Sequence, residues 1–197
     1  MGQKFIKRLI AVLAVVFAVL LSSSGEAQAH CDTMDGPVVK AAQRALATRN
    51  VNLILIWVRQ NDDAEIRRRF VQTLAVRKLN REARELADNY FFETVVRLHR
   101  AGEGEPYTGL KPAGTDLGPV IPLADKAIES GSVAALLKLF DATAQADIQM
   151  RFNDVISRQG FNVRDVEAGH EYVKAYITFM HHVEHVYEES EHKTEGQ

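Results

Sequence analysis

The sequence predicts an all-α fold, a helical bundle built from two tandem repeats. The chain matches itself without gaps at an offset of 82 residues, with sixteen identities between 33–101 and 115–183. The segment 51–58 alone has the β-branched content of a buried strand, but its copy, 133–140, is rich in strong helix formers. We therefore expect helices in both copies, with the halves packed about a pseudo-twofold axis and their last long helices adjacent. A short solenoid is the alternative, although two copies are few for one.

Local signals place four helices in each half. Pro37 and Pro119 suit a first helical turn, Asp62 and Asn80 suit N-caps, and Gly102 suits a helix end. Glycine and proline are frequent between the halves, which predicts a connector without regular structure. The predicted helices are 37–48, 51–59, 62–78 and 81–101 in the first half, and 119–130, 132–142, 144–158 and 163–190 in the second.

The first 29 residues have the pattern of a secretory signal peptide. Lys4, Lys7 and Arg8 precede an apolar run at 9–21, and the small-residue site Ala27-Gln28-Ala29 follows. Removal of 1–29 would place the mature protein in the periplasm or outside the cell, with His30 as its first residue. We expect 30–197 to form a single helical domain, made of the repeat 33–101, the connector 102–118 and the repeat 119–190.

Composition limits the partners of the mature chain. The formal net charge is −2, and it becomes −4 when the leader removes three basic residues and one acidic residue. A mildly acidic chain with scattered basic residues is not typical of nucleic-acid binding, and no second apolar stretch reaches membrane length. We expect a metal ion or another small molecule as the partner, and the sequence leaves open assembly into a homo-oligomer.

The chain contains one cysteine, Cys31, directly behind the predicted N-terminal His30. A single cysteine in an oxidising compartment is an intermolecular link, a free thiol or a metal ligand. A free N-terminal histidine offers an amine and an imidazole, and Cys31 adds its amide and its thiolate. This nitrogen and sulfur donor set favours nickel or copper, with iron and zinc as alternatives.

The residues His30, Cys31, Asp32 and Gly36 resemble the N-terminal hook of nickel superoxide dismutases, in which the sequence His-Cys-Asp opens the mature chain. The resemblance implies that His30 supplies the amine and the imidazole, and that Cys31 supplies the amide and a thiolate. Asp35 stands where those enzymes have their second thiolate ligand, which makes it a candidate ligand here. Over its full length the chain resembles a family of exported bacterial and archaeal proteins that open with HCDTxDGPVV, and this resemblance implies no particular activity.

Asp35 and two repeated histidines complete the set of candidate ligands. Asp35 precedes Gly36-Pro37, a pattern more typical of a helix N-cap than of a ligand. His99 and His181 occupy equivalent positions in the two copies. They would face each other if the last helices meet, and they would then complete the site of His30 and Cys31 or form a second one. Buried histidines that serve packing alone are an equally good interpretation.

Two functional classes remain. The preferred hypothesis is an exported metalloprotein whose transition-metal site lies at His30 and Cys31, serving redox chemistry on a small oxygen species or metal storage and delivery. The competing hypothesis is a non-catalytic helical binding or structural protein without a metal. The chain has no CxxCH, HExxH or GxSxG motif and no phosphate-binding glycine loop, so no motif decides whether a reaction is catalysed.

Overall fold

A computed structural model describes residues 30–195, with side chains described through His192. This part of the chain is all-helical, as predicted, and its β-structure is confined to one isolated parallel bridge between Thr33 and Lys111. The α-helices of the described range are α1 (Pro37–Thr48), α2 (Asn52–Leu55), α3 (Asp63–Val76), α4 (Arg81–Glu103), α5 (Val120–Ser130), α6 (Ala134–Leu137), α7 (Ala142–Arg158) and α8 (Val166–Glu195), and a short 3-10 helix spans Gln60–Asp62.

Helix α1 begins at Pro37, which has no backbone N–H to leave unsatisfied in a first turn. Its apolar residues recur at helical spacing, and Val38, Ala42 and Ala45 are fully buried. The N-cap is Gly36, without a side-chain capping bond. The interpretation of Asp35 as the N-cap of this helix was therefore wrong.

Helix α2 is much shorter than the predicted helix at 51–59. It ends at Leu55, and the carbonyl groups of Leu55, Trp57 and Val58 accept hydrogen bonds from histidines. His170 Nε2 lies 2.8 Å from the oxygen of Leu55 and 3.1 Å from that of Val58, while His99 Nδ1 lies 2.8 Å from that of Trp57. Imidazoles satisfy these carbonyls, so the segment needs no further helical turn. Its counterpart α6 is equally short, and the predicted helix at 132–142 was also too long.

The longer helices agree with prediction to within a few residues. Asn80 caps α4, because its side chain accepts a hydrogen bond from the backbone N–H of Ala83 at 2.7 Å. Helix α4 continues beyond Gly102 and ends at Glu103. Its C-cap is Gly104, whose φ of 81° suits glycine. Asp141 caps α7 by accepting from the N–H groups of Thr143 and Ala144, a cap that the sequence interpretation missed.

One apolar core includes residues from both halves. The main packing pairs are α3 with α4 and α1 with α4 in the first half, and α7 with α8 and α5 with α8 in the second. Trp57 lies between the halves, with its ring 5.8 Å from that of His99 and 5.7 Å from that of Tyr176. No helix within 30–195 is long and apolar enough to cross a membrane.

The connector binds back to the start of the described chain. The N–H of Lys111 donates to the oxygen of Asp32 at 2.9 Å, and the N–H of Met34 donates to the oxygen of Lys111 at 3.0 Å. These bonds place His30 and Cys31 inside the helical bundle.

Candidate metal centre

Residues 30–36 form a compact turn that we call the hook. His30, Cys31 and Asp32 make a short 3-10 turn, the N–H of Gly36 donates to the oxygen of Thr33 at 2.9 Å, and the Thr33 hydroxyl donates to the oxygen of His30 at 3.2 Å. A Cβ atom on Gly36 would lie 2.1 Å from the oxygen of His30. Glycine is thus required here for the close approach of two backbone segments.

The imidazole of His30 is buried, with 5% of the residue exposed. Its Nε2 lies 2.7 Å from Oδ2 of Asp125, and the Tyr176 hydroxyl donates to Oδ1 of the same carboxylate at 2.8 Å. A carboxylate can only accept, so Nε2 of His30 carries a proton. In the neutral ring, Nδ1 then keeps a lone pair, and a carboxylate on the opposite nitrogen is the usual second partner of a metal-binding histidine.

The thiol of Cys31 is buried near three carboxylates and one guanidinium group. Burial raises the pKa of Cys31 well above its ordinary value, and the carboxylate of Glu103 raises it further, whereas Arg100 opposes the shift. Asp32 and Asp125 contribute in the same direction as Glu103. Carboxylates that disfavour a thiolate would stabilise a cation beside the same sulfur.

A buried arginine links the hook to α4. Arg100 Nε lies 3.3 Å from Oδ1 of Asp32, and its Nη1 donates to Oε2 of Glu103 at 3.1 Å. Asp32 and Arg100 are almost fully buried. Burial raises the pKa of Asp32 to about 6, although Arg100 and Lys111 lower it. The hook is thus held to α4 by charged contacts inside the protein.

Three of the candidate ligands lie near one small cavity. His30, Cys31 and His181 line it together with Tyr176 and apolar side chains, and its volume is about 10 Å³. This is room for about one water molecule or one monatomic ion, and too little for an organic substrate. His181 is exposed, so it occupies the solvent side of the cavity.

His99 and Asp35 lie elsewhere. His99 is buried next to Trp57 and lines a different cavity; burial lowers its pKa, whereas Glu103 and the hydrogen bond with the backbone of Trp57 act in the opposite direction. Asp35 is exposed, and its Oδ2 accepts a hydrogen bond from the N–H of Gly114 at 3.0 Å. Asp35 is not among the residues that line the cavity of His30 and Cys31.

The structure adds residues that the sequence interpretation did not select. The side chains around His30 and Cys31 are Asp125, Tyr176, Arg100 and Glu103. None of them has an identical residue at the 82-residue offset or belongs to a recognisable motif. Their contacts join segments far apart in the chain, and such contacts leave no local signal. Within residues 30–195, no group of three or more histidine, cysteine, aspartate or glutamate side chains is arranged to hold a metal ion.

The fold and the site define an all-helical protein with a buried cluster of histidine, thiol and carboxylate groups around its hook. The chain belongs to a family of unknown function, DUF6448, whose model matches residues 35–182. The match begins after His30 and Cys31. No curated protein and no solved structure shows significant similarity to the chain.

Proposed function

We propose that the protein is an exported metal-binding protein that holds one transition-metal ion, nickel or copper in preference to iron or zinc, at His30 and Cys31. After removal of residues 1–29, these two residues supply an amine, an imidazole, an amide and a thiolate. Such a donor set needs no third residue. His181 lies on the solvent side of the same cavity and is the further ligand with the best placement.

The hydrogen bond from His30 to Asp125 is the observation that carries this proposal. It fixes the proton on Nε2 and leaves the lone pair of Nδ1, the nitrogen closer to the backbone. An α-amine and Nδ1 of the same histidine close a six-membered chelate ring with one cation. Asp125 is itself held by the Tyr176 hydroxyl, so the ring orientation is fixed from a second side.

The surroundings of Cys31 also favour a cation. Cation binding would replace the thiol proton, and the nearby carboxylates of Glu103, Asp32 and Asp125 would offset the cost of a buried positive charge. The small cavity supports binding of an ion over binding of an organic ligand. We propose that the bound ion serves redox chemistry on a small oxygen species, or metal storage and delivery.

We further propose that the two halves are tandem repeats related by a pseudo-twofold axis. Helices α2 and α6 have the same length, and their first residues, Asn52 and Ala134, are 82 positions apart. Several identical pairs are buried in both halves: Val38 and Val120, Ala42 and Ala124, Ala45 and Ala127, Ile66 and Ile148, Phe70 and Phe152.

Metal analysis of protein exported with its native N-terminus tests the proposed site. We expect one equivalent of nickel or copper, with a thiolate-to-metal absorption band that disappears in Cys31→Ser. One alanine inserted before His30 should abolish binding, because it moves the amine away from the imidazole. Asp125→Asn should weaken binding about 10–100-fold, since it alters the second partner of a ligand.

The matched control is His185→Gln, which changes an exposed histidine of the same helix as His181. It should bind metal like the parent protein. Metal-free parent protein, or full occupancy in both Cys31→Ser and the alanine insertion, would contradict the proposal and favour a helical binding or structural protein.

A further inference from the structure

A second pair of potential ligands lies on α4, outside the hook. His99 and Glu103 are one turn apart, so their side chains share a face of the helix. They line a cavity of about 270 Å³ between α4 and α8, to which Trp57, His170 and Lys174 also contribute. His99 is 3% exposed, and its Nε2 has no hydrogen-bond partner.

The contact with Trp57 determines which nitrogen of His99 carries the proton. Nδ1 lies 2.8 Å from the backbone oxygen of Trp57, and a carbonyl can only accept. Nδ1 is therefore the protonated nitrogen, and Nε2 of the neutral ring presents a lone pair.

Glu103 places a second acceptor without a hydrogen-bond partner close to Nε2 of His99. Its Oε2 accepts from Arg100, which also contacts Asp32 of the hook, so the carboxylate is held in place. Its Oε1 has no hydrogen-bond partner and lies 3.5 Å from Nε2 of His99. Two buried acceptors that face each other need a donor or a cation between them.

The spacing of these two atoms fits a metal ion. Zinc ligands lie about 2.0–2.2 Å from the ion, and at a tetrahedral angle two such ligands are about 3.3–3.6 Å apart. The observed 3.5 Å falls within this range. Imidazole with a carboxylate is a zinc donor set, and the backbone carbonyl on Nδ1 is the usual second partner of a ligating histidine.

We propose that Nε2 of His99 and Oε1 of Glu103 bind a divalent cation of the zinc type, with water from the cavity completing its coordination. This site goes beyond the proposed function, because it requires neither the thiol of Cys31 nor a free amine on His30. Two protein ligands predict binding that is weaker than at the hook and readily exchanged.

Isothermal titration calorimetry with zinc chloride tests the site. The protein carries Cys31→Ser, so that the hook cannot bind zinc through sulfur. We expect one equivalent of zinc. His99→Gln should abolish its binding, and Glu103→Gln should weaken it at least tenfold, whereas His185→Gln should leave it unchanged. Circular dichroism of each variant checks that the fold is intact.

Nitrogen NMR of the imidazoles provides a second test, again in the Cys31→Ser protein. It does not require any substitution on α4. Nε2 of His99 should resonate as an unprotonated nitrogen without zinc and should shift when zinc is added. Two protonated nitrogens, meaning a charged His99 paired with Glu103, would overturn the proposal. Absence of zinc binding, or equal binding in the His99→Gln variant, would overturn it as well. Because the parent protein is tested separately for nickel or copper, failure of one site is distinguishable from failure of the other.

Discussion

Two buried histidines share one arrangement, in which a fixed oxygen accepts a hydrogen bond from one ring nitrogen, so that the other nitrogen of the neutral ring keeps its lone pair. For His30 the oxygen belongs to Asp125, and for His99 it belongs to the backbone of Trp57. The sequence singled out both histidines, one by its position and one by its recurrence. It did not reveal Asp125 or Glu103, because these partners are found only once distant helices pack together.

Gly36 allows a prediction about the hook itself. In Gly36→Ala, the new Cβ would overlap the backbone oxygen of His30, and neither backbone segment can move without breaking the hydrogen bonds of the turn. We expect a loss of about 1–3 kcal/mol in the free energy of unfolding. Urea unfolding measures it, and metal analysis should show reduced occupancy. An alanine variant as stable as the parent would show that the hook tolerates a wider turn.

Asp35 gives a prediction with a defined pH dependence. The hydrogen bond from the N–H of Gly114 lowers the pKa of Asp35 below its ordinary value. A lowered folded-state pKa stabilises the protein above the unfolded pKa of about 3.9, and this stabilisation is lost as the pH falls through the folded pKa.

Asp35→Asn should therefore be slightly less stable than the parent near neutral pH, by well under about 1 kcal/mol because the carboxylate is exposed. The difference should vanish at an acidic pH below the lowered pKa of Asp35, where the parent carboxyl is also neutral. Urea unfolding at both pH values measures it. A difference that stays constant with pH would assign the effect to something other than the charge of Asp35.

At the scale of helices, the sequence predicted where helices begin better than it predicted how long they are. Capping residues such as Asn80 and the spacing of apolar residues act locally, so α1 and α4 begin where the sequence predicts. Helix α2 was predicted too long, and the residues within 51–59 do not show that distant histidines bind the carbonyls of Leu55 and Trp57.

The approach of α8 to the segment after α2 depends on Gly169. A Cβ at this position would lie 2.3 Å from Cγ2 of Ile56. Alanine raises helix propensity by about 1 kcal/mol over glycine, but the overlap should cost more, so Gly169→Ala should destabilise the protein by about 1–2 kcal/mol net. Thermal unfolding measures the change.

Gly102→Ala is the matched control, because a Cβ there meets its nearest neighbour, Cγ of Arg59, at 3.4 Å. It should stabilise α4 by up to about 1 kcal/mol. Ile56→Ala removes the overlapping methyl group, so the double variant with Gly169→Ala should lose less stability than the sum of the single variants. Strict additivity would show that the two positions do not meet.

For the molecule as a whole, the sequence predicted an all-α chain but not how the halves share one core. The proposed repeat would account for the similar helices of the two halves, whereas the contact between Trp57 and Tyr176 joins residues whose counterparts at the 82-residue offset differ. Trp57 aligns with Leu139, and Tyr176 aligns with Thr94, so the self-alignment does not suggest this contact. Packing between unlike residues is decided only in three dimensions.

Trp57 is a fluorescence probe of the core that the two halves share. It is the sole tryptophan of the chain, and its ring contacts His99 of the first half and Tyr176 of the second. Because one apolar cluster contains residues from both halves, we expect the protein to unfold in a single cooperative transition. Tryptophan fluorescence, which reports contact between the halves, should then change at the same urea concentration as far-ultraviolet circular dichroism, which reports helix content. If fluorescence changed first while the helices persisted, the halves would be separate folding units. Metal binding at the hook would then depend on contact between the halves, because it involves both His30 and Asp125 of α5.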